Sequence, residues 1–411
     1  MLTVVHISSS KKGGAGRAAF RIYEAMLGNP EISSFFISGD DDEIPVTSGE
    51  IRVGKEIKKE RPLFEKFKSK LGLSKSVDQE NYHLLEGLKG DYEIFSLPRT
   101  DFRVEDLQIL MEADIIHLHW VANFVNYRRF FDHLKHKKFV WTFHDMNPFM
   151  GGFHYRNDYI NNPSFHELER RLIRQKASAV HKIKNLSVVT PSRWLLKNAQ
   201  KSNYFKADTT FTPIPYSLDL EIFKPTDKKE AKQKLHIEPN LPCLLIVAQD
   251  LKNNRKGFDL LRNALGAIPN NLYQLLTVGD NTASFKGENV IDLGVIDNDR
   301  SLALAYSAAD LFILPSIEDN LPNVMLEAFA CGTPVLSFKV GGMKEWITPG
   351  INGFFAESFN SEGLKNSVFE FLCNAAPYNS SQIRKIAITN FSPIAQGEKY
   401  RNLYHSILTS G

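Results

Sequence analysis

Two carboxylates eight residues apart, Asp319 and Glu327, lie in the stretch Pro315–Pro334, PSIEDNLPNVMLEAFACGTP. An ionised carboxylate can only accept hydrogen bonds, so both suit hydroxyl groups. The apolar run Asp310–Leu314 before them has the character of a strand buried on both faces of a parallel sheet. A polar elbow, Ser316–Asn320, then leads into a helical run with Pro322 near its first turn, where a missing N–H costs nothing. Gly332 stands where that helix would stop. The amides of Leu321, Asn323 and Val324 and the helix dipole favour an anion at this elbow, with Glu318 and Asn320 beside it. Phosphate plus polyol is the chemical description of a nucleotide sugar. A helix-capping acid followed by a solvated glutamate has the same spacing, and spacing alone leaves both readings open.

Three further groups could take part. Arg255-Lys256-Gly257 follows a strand and loop, and adjacent cations there could hold a diphosphate leaving group. A surface Arg–Lys pair that is only solvated is the plain alternative. Ser9–Arg17 holds Gly13, Gly14 and Gly16 between a first strand and an Ala-rich helix near Arg17–Leu27. Such a turn lets backbone approach a phosphate or a sugar, or simply packs tightly. His144 leaves the carboxyl end of a strand, Lys138–His144, at the ligand edge of a parallel sheet, and Gly151-Gly152 and His154-Tyr155 follow. There it could donate to a phosphate or to a reacting hydroxyl, or be structural. His117 and His119 alternate on Asp114–His119 and read as packing.

These groups need a frame that brings strand ends to one edge. Strands are expected at Leu2–Ser8, Ser34–Ser38, Asp114–His119, Lys138–His144 and Leu186–Thr190. Helices fit near Tyr127–Lys135, Asn162–Ile183 and from an N-capping Ser192 to Ala199. The proline-rich, strand-like Phe211–Tyr216 and then Asp219–Pro225 read as a linker. Alternation restarts with strands at Cys243–Ala248, Tyr273–Val278, Val290–Leu293, Asp310–Leu314 and Pro334–Phe338, with helices between them. The fold class is therefore α/β, two doubly wound Rossmann-like domains with a cleft between them. The boundaries fall at 1–218 and 219–391, with an amphipathic helix at 392–411 returning to brace the first domain.

Residues 39–79 read as an insertion or mobile excursion. Within it Arg52–Lys75 has nine Lys/Arg against three Glu, with Leu63, Phe64, Phe67 and Leu71 at helical spacing. That pattern suits either an anionic membrane surface or a solvated helix tucked onto its domain. A net charge of +3 over 411 residues gives no argument for nucleic acid. Cys243, Cys331 and Cys373 have no metal-type spacing and read as buried thiols in a reducing compartment. No signal peptide and no apolar stretch of membrane-spanning length is evident, so a cytoplasmic protein is expected, with peripheral contact on the inner membrane face open to it.

The motifs recur in an order that resembles the retaining glycosyltransferases of the GT-B fold, in the large group 1 or group-4 family. The resemblance rests on Gly13–Arg17, Asp114–Trp120, His144–Phe149, Val189–Trp194, Ile214–Pro225, Arg255–Asp259 and Asp319–Pro334, and so covers nearly the whole chain. Several pieces fit the subgroup that builds bacterial surface polysaccharides. The resemblance implies a UDP- or GDP-sugar bound by the second domain and a glycan acceptor, lipid-linked, bound by the first. It implies that Glu327 holds the ribose hydroxyls, and that Asp319 and the backbone of Asn320–Pro322 meet the donor sugar. Lys256 would neutralise the departing diphosphate, Gly13–Gly14 would approach it from across the cleft, and His144 would touch the sugar. No divalent metal and no cofactor beyond the nucleotide-sugar co-substrate is implied. Two positions depart from the pattern. The first carboxylate is usually Glu and here is Asp319, with Glu318 adjacent, so either could be the sugar ligand. An Arg usual five residues before the Lys is Leu251, which leaves Arg255 as a substitute. A GT-B-like nucleotide-sugar epimerase and a non-catalytic nucleotide-binding module remain as alternatives. A dinucleotide oxidoreductase is disfavoured, because no G-x-G-x-x-G turn follows Leu2–Ser8.

Overall fold

The computed structural model describes residues 1–39, 48–54, 77–374 and 378–409. They form two compact units, Met1–Ile214 with Gly397–Gly411, and Pro215–Gln396. The division thus falls four residues before the expected boundary, and the C-terminal helix Pro393–Thr409 joins the first unit from Gly397 onward.

The first unit is built on seven parallel strands. They are β1 (Leu2–Ile7), β2 (Ile32–Gly39), β3 (Glu50–Val53), β4 (Ile115–Leu118), β5 (Lys138–Thr142), β6 (Asn185–Thr190) and β7 (Thr210–Pro213), in the order β3-β2-β1-β4-β5-β6-β7. Their apolar character follows from burial on both faces. Val5, Ile7, Ile116, Phe139, Trp141 and Val188 pack into one core, and Leu2, Val4, Ile115, Val140 and Val189 into another. That second core is closed by Tyr400 and Tyr404 of the C-terminal helix, the brace read from its amphipathic pattern. Ser192 caps helix Arg193–Lys201 by accepting from the Leu195 amide at 3.1 Å, as its residue type dictates.

Four expectations are corrected here. Residues 39–79 are not wholly an insertion, because Glu50–Val53 pairs in parallel with Phe36–Gly39 as an edge strand. Its single Ile-Arg-Val alternation is too short to register as a strand in the sequence. Thr210–Pro213 likewise belongs to the sheet, paired with Ser187–Thr190, so the linker begins later than Phe211. Pro213 sits on the edge, where no partner needs its missing N–H. The long helix expected at Asn162–Ile183 is broken. Pro163–Phe165 forms a separate 3₁₀ turn before the α-helix His166–Val180, and Pro163 opens that turn. Cys243 and Cys331 are buried, but Cys373 is exposed on helix Ser361–Asn374. In the basic segment Arg52–Lys75, residues 55–75 lie outside the described residues.

The second unit has six parallel strands, β8 (Cys243–Asp250), β9 (Gln274–Asp280), β10 (Val290–Asp292), β11 (Leu311–Leu314), β12 (Val335–Ser337) and β13 (Gly353–Phe355). Their order is β10-β9-β8-β11-β12-β13. Strand order reverses between β1 and β4 in the first sheet and between β8 and β11 in the second. At such a switch point the loops leaving two adjacent strands diverge and open a crevice beyond their carboxyl ends. Among the described residues, no helix is long and apolar enough to cross a membrane.

Candidate functional site

At the switch point of the second sheet, the loop after β8 meets the elbow after β11. Asn253 caps a short 3₁₀ turn, Asn254–Lys256, by accepting from the Arg255 amide at 3.0 Å. Gly257 ends that turn at φ +70°, and a Cβ there would lie 2.1 Å from the Pro315 carbonyl oxygen. Glycine is therefore required both by conformation and by the approach of the two loops. The Ile317 amide donates to the Arg255 carbonyl at 2.8 Å, and the Arg255 guanidinium donates to the Glu318 carbonyl at 2.9 Å. On the other side the Gly342 amide donates to the Asn320 carbonyl at 2.7 Å. The elbow is fastened from both flanks by backbone bonds.

This fastening brings both cations onto one carboxylate. Lys256 Nζ lies 2.6 Å and an Arg255 guanidinium nitrogen 3.2 Å from Asp319 Oδ2. Asp319 Oδ1 accepts from the Asn320 amide at 3.0 Å. Burial alone would raise the Asp319 carboxyl, but Lys256 and then Arg255 outweigh it and hold it below the usual carboxylate range. Glu318 is buried too, and its carbonyl engages Arg255. Leu251 is buried in the apolar core with Leu244 and Phe258, and the second cation on Asp319 is Arg255.

Helix Asn323–Ala330 starts directly after the elbow, with Pro322 as its N-cap rather than its first residue. Leu321 and Asn320 are buried, while Asn323 is half-buried at the helix start. Glu327, one turn further on, is buried at 3% exposure. Its Oε2 accepts from the Tyr306 hydroxyl of helix Asp299–Ala308 at 3.1 Å. Tyr306 escaped the sequence reading because its apolar neighbours in Leu302–Ala309 make it look like core filling.

The remaining candidates lie in the first unit. Helix Gly13–Glu24 begins at the first glycine, four residues before the expected start, so Gly13, Gly14 and Gly16 form its first turn. Gly13 and Gly14 are exposed, whereas Gly16 is buried and a Cβ on it would lie 2.6 Å from the Ser10 carbonyl oxygen. Gly16 thus lets the helix pack on its own loop.

His144 is buried just beyond β5. Burial lowers its pKa to about 4, against an opposing pull from Asp145. The loop it opens is held by buried charges. Asp145 accepts from Trp120 Nε1 at 2.8 Å and the Asn147 amide at 2.8 Å, and it pairs with His154 Nδ1 at 2.6 Å. Glu169 of helix His166–Val180 accepts from the Gly151 amide at 2.6 Å and the Gly152 amide at 2.7 Å. Lys176, two turns further along the same face, donates to the carbonyls of Asn147 and Met150. Glu169 and Lys176 gave no signal in sequence, since both sit in a helix rich in charge.

Among the described residues, His6, His117 and His119 are the group with metal-ligand composition, their nitrogens within 4.8 Å of one another. Four of their six ring nitrogens have partners, while His6 Nε2 and His119 Nδ1 are buried with no hydrogen-bond partner among the described residues. His6 Nδ1 and His119 Nε2 are 3.0 Å apart with rings only 10° from coplanar, the geometry of a direct N–H···N bond. His117 reaches the Tyr404 hydroxyl at 2.7 Å through Nδ1 and Thr142 at 2.8 Å through Nε2. A metal held by all three would have to displace one of the two His117 bonds, and burial keeps the imidazoles neutral.

Solved structures of low identity match the chain over its full length. Sucrose-phosphate synthase from Thermosynechococcus elongatus has a TM-score of 0.71 at 18% identity, covering 100% of both chains. Anabaena HepE in complex with UDP and glucose has a TM-score of 0.65 at 16% identity, covering 99% of this chain and 100% of that one. The fold is GT-B. Within the second GT-B unit, residues 242–374 match the family model described as glycosyl transferases group 1. D-inositol 3-phosphate glycosyltransferase of Segniliparus rotundus is 31% identical over 192 residues, 43% of this chain and 42% of that one. The chain spans less than half the length of the curated relatives it matches.

Proposed function

We propose that this GT-B protein is a retaining glycosyltransferase that moves a sugar from a UDP- or GDP-linked donor to a hydroxyl of a glycan or polyol acceptor. The observation that carries the reading is the convergence of Arg255 and Lys256 on Asp319 at the start of the helix that bears Glu327. That segment lies inside the region matching group 1 glycosyltransferases. A diphosphate arriving there replaces Asp319 as the partner of the two cations. Asp319, released, accepts from hydroxyls of the donor sugar, and Glu327 accepts from the ribose.

Transfer breaks the bond between the anomeric carbon and the diphosphate oxygen and forms one to the acceptor oxygen. The departing diphosphate takes the acceptor proton on the same face, and Lys256, Arg255 and the helix N-terminus carry its charge. This machinery needs neither metal nor cofactor, so transfer is expected to survive exhaustive chelation. The UDP complex of HepE favours trying uridine donors first. The inositol 3-phosphate enzyme and the surface-polysaccharide resemblance define the acceptor panel. The test is incubation of the full chain with UDP- and GDP-sugars, with and without these acceptors. Acceptor-dependent release of nucleoside diphosphate supports the reading. Release of diphosphate and glycal without any acceptor would replace it by an epimerase, and no release by a binding module.

A further inference from the structure

The donor-site reading leaves one buried polar group without a task. The Tyr306 side chain is fully buried, its ring edge-on to Phe312 at 5.4 Å and 83°. A phenylalanine would fill the same space, so packing accounts for the ring and not for the hydroxyl. A buried hydroxyl is costly unless bonded, and this one donates to Glu327 Oε2 at 3.1 Å. Burial, and then Glu327 itself, raise the phenol well above its ordinary pKa, so it stays a donor at every working pH. The backbone of Tyr306 is fixed in turn, its carbonyl accepting from the Thr333 hydroxyl at 2.7 Å. Thr333 lies just beyond the end of the helix that carries Glu327. One tyrosine therefore ties the side chain of Glu327 to the strand-connecting turn behind its helix.

A carboxylate that binds two adjacent ribose hydroxyls must keep its charge and hold one rotamer. It offers about four lone-pair sites, and Tyr306 occupies one of them. We propose that Tyr306 is a positioning residue for the ribose, acting through Glu327 and selecting ribonucleotide over deoxyribonucleotide donors. The inference rests on the assignment of Glu327 to the ribose, and its test separates the two.

The experiment measures dissociation constants of UDP and 2′-deoxy-UDP (GDP and 2′-deoxy-GDP where the wild type prefers guanosine) for the full chain. The variants are Tyr306→Phe, Glu327→Ala and the double variant, at a temperature where thermal melts show each to be folded. Tyr306→Phe is expected to weaken UDP by about 10-fold, the scale of one hydrogen bond to a charged group, while 2′-deoxy-UDP changes little. Donor KM should rise with kcat retained at saturating donor, a split that a general loss of packing would not give. Glu327→Ala should erase the preference for ribose, and adding Tyr306→Phe should change nothing more. Wild-type UDP affinity in Tyr306→Phe, or equal weakening of both ligands, would overturn the positioning role and leave Glu327 in place. A ribose preference that survives Glu327→Ala would remove the assignment of Glu327 and the inference with it.

Discussion

At the carboxyl end of the first sheet four buried histidines stand beside the charged groups that hold the His144 loop, whereas the edge of the second carries opposed charges and no buried histidine. Eleven of the twelve histidines fall in the first unit, and the second has only the exposed His236. His6, His117, His119 and His144 are kept neutral by burial. Arg255 and Lys256 instead share the ionised Asp319, two cations on one carboxylate. Neutral imidazoles donate and accept without projecting a field, which fits contact with an uncharged hydroxyl. A compensated ion pair can exchange its internal anion for an external one, which fits a diphosphate. The same architecture thus offers two kinds of edge, and the difference lies in which ionisable residues follow the strands.

Acid should separate the two units most strongly. A histidine whose folded pKa is depressed costs stability once the unfolded chain begins to take up protons that the folded chain refuses. The loss starts as pH falls below 6.5 and continues to about 4 for His144 and about 3 for His6. Between pH 6.5 and 5 each of these two costs about 2 kcal/mol, and His117 and His119 act in the same direction. The second unit relies on depressed carboxylates, Asp292, Asp310 and Asp319, whose stabilisation holds above 3.8 and is lost only below it. Trp120, Trp141 and Trp194 lie in the first unit and Trp346 in the second. In Trp346→Phe, fluorescence therefore follows the first unit alone. Its urea midpoint should fall steeply from pH 6.5 to 5, and a flat profile would mean that these histidines charge freely in the fold.

The next largest effects are on turnover. Lys256→Ala and His144→Ala should each lower transfer by about 100-fold or more, the scale of losing one electrostatic stabiliser. The comparison predicts different salt and pH signatures for the two losses. Lys256 acts as a charge, so the wild-type advantage over Lys256→Ala should shrink as ionic strength rises. His144, neutral above about 4, should give an advantage that is constant from pH 6 to 8. Unchanged rates in both variants would reject the site.

Smaller still is the effect of the clasp under the His144 loop. Glu169→Ala strips the Gly151 and Gly152 amides of their acceptor inside a buried segment, at a cost of about 2 kcal/mol. Thermal unfolding of the variant measures it, and Glu169→Gln should recover part of the loss. An unshifted melting temperature would show that water reaches the amides instead.

Much of this frame was legible because parallel strands buried on both faces leave continuous apolar runs. Cys243–Ala248 and Asp310–Leu314 announce themselves in that way, as does the Ser192 cap. Glu50–Val53 did not, since a four-residue edge strand takes its order from its neighbour and not from its own residues. Arg255, Lys256 and Asp319 were legible as candidates, but their convergence on one oxygen depends on loops from strands more than sixty residues apart. Tyr306, Glu169 and Lys176 were illegible for a related reason. Their partners are distant backbone groups or a carboxylate on another helix, and nothing in local spacing marks them.

The smallest effect is also the one with an unexpected sign. Asp319 is ionised at neutral pH and sits on both cations, so in the proposed function it is at once a sugar ligand in waiting and a competitor of the diphosphate. Asp319→Asn keeps the shape and removes the charge. Lys256 and Arg255 then lack their internal anion, and UDP binding should tighten by about 10-fold, one charge-assisted bond's worth. Transfer should fall nonetheless, because an amide accepts sugar hydroxyls less well and product leaves more slowly. Calorimetry with UDP, paired with transfer rates on the same preparation, reads both signs. A variant in which UDP affinity falls together with turnover would mean that Asp319 organises the cations rather than competing for them, and the second edge would be a fixed clamp instead of an exchangeable one.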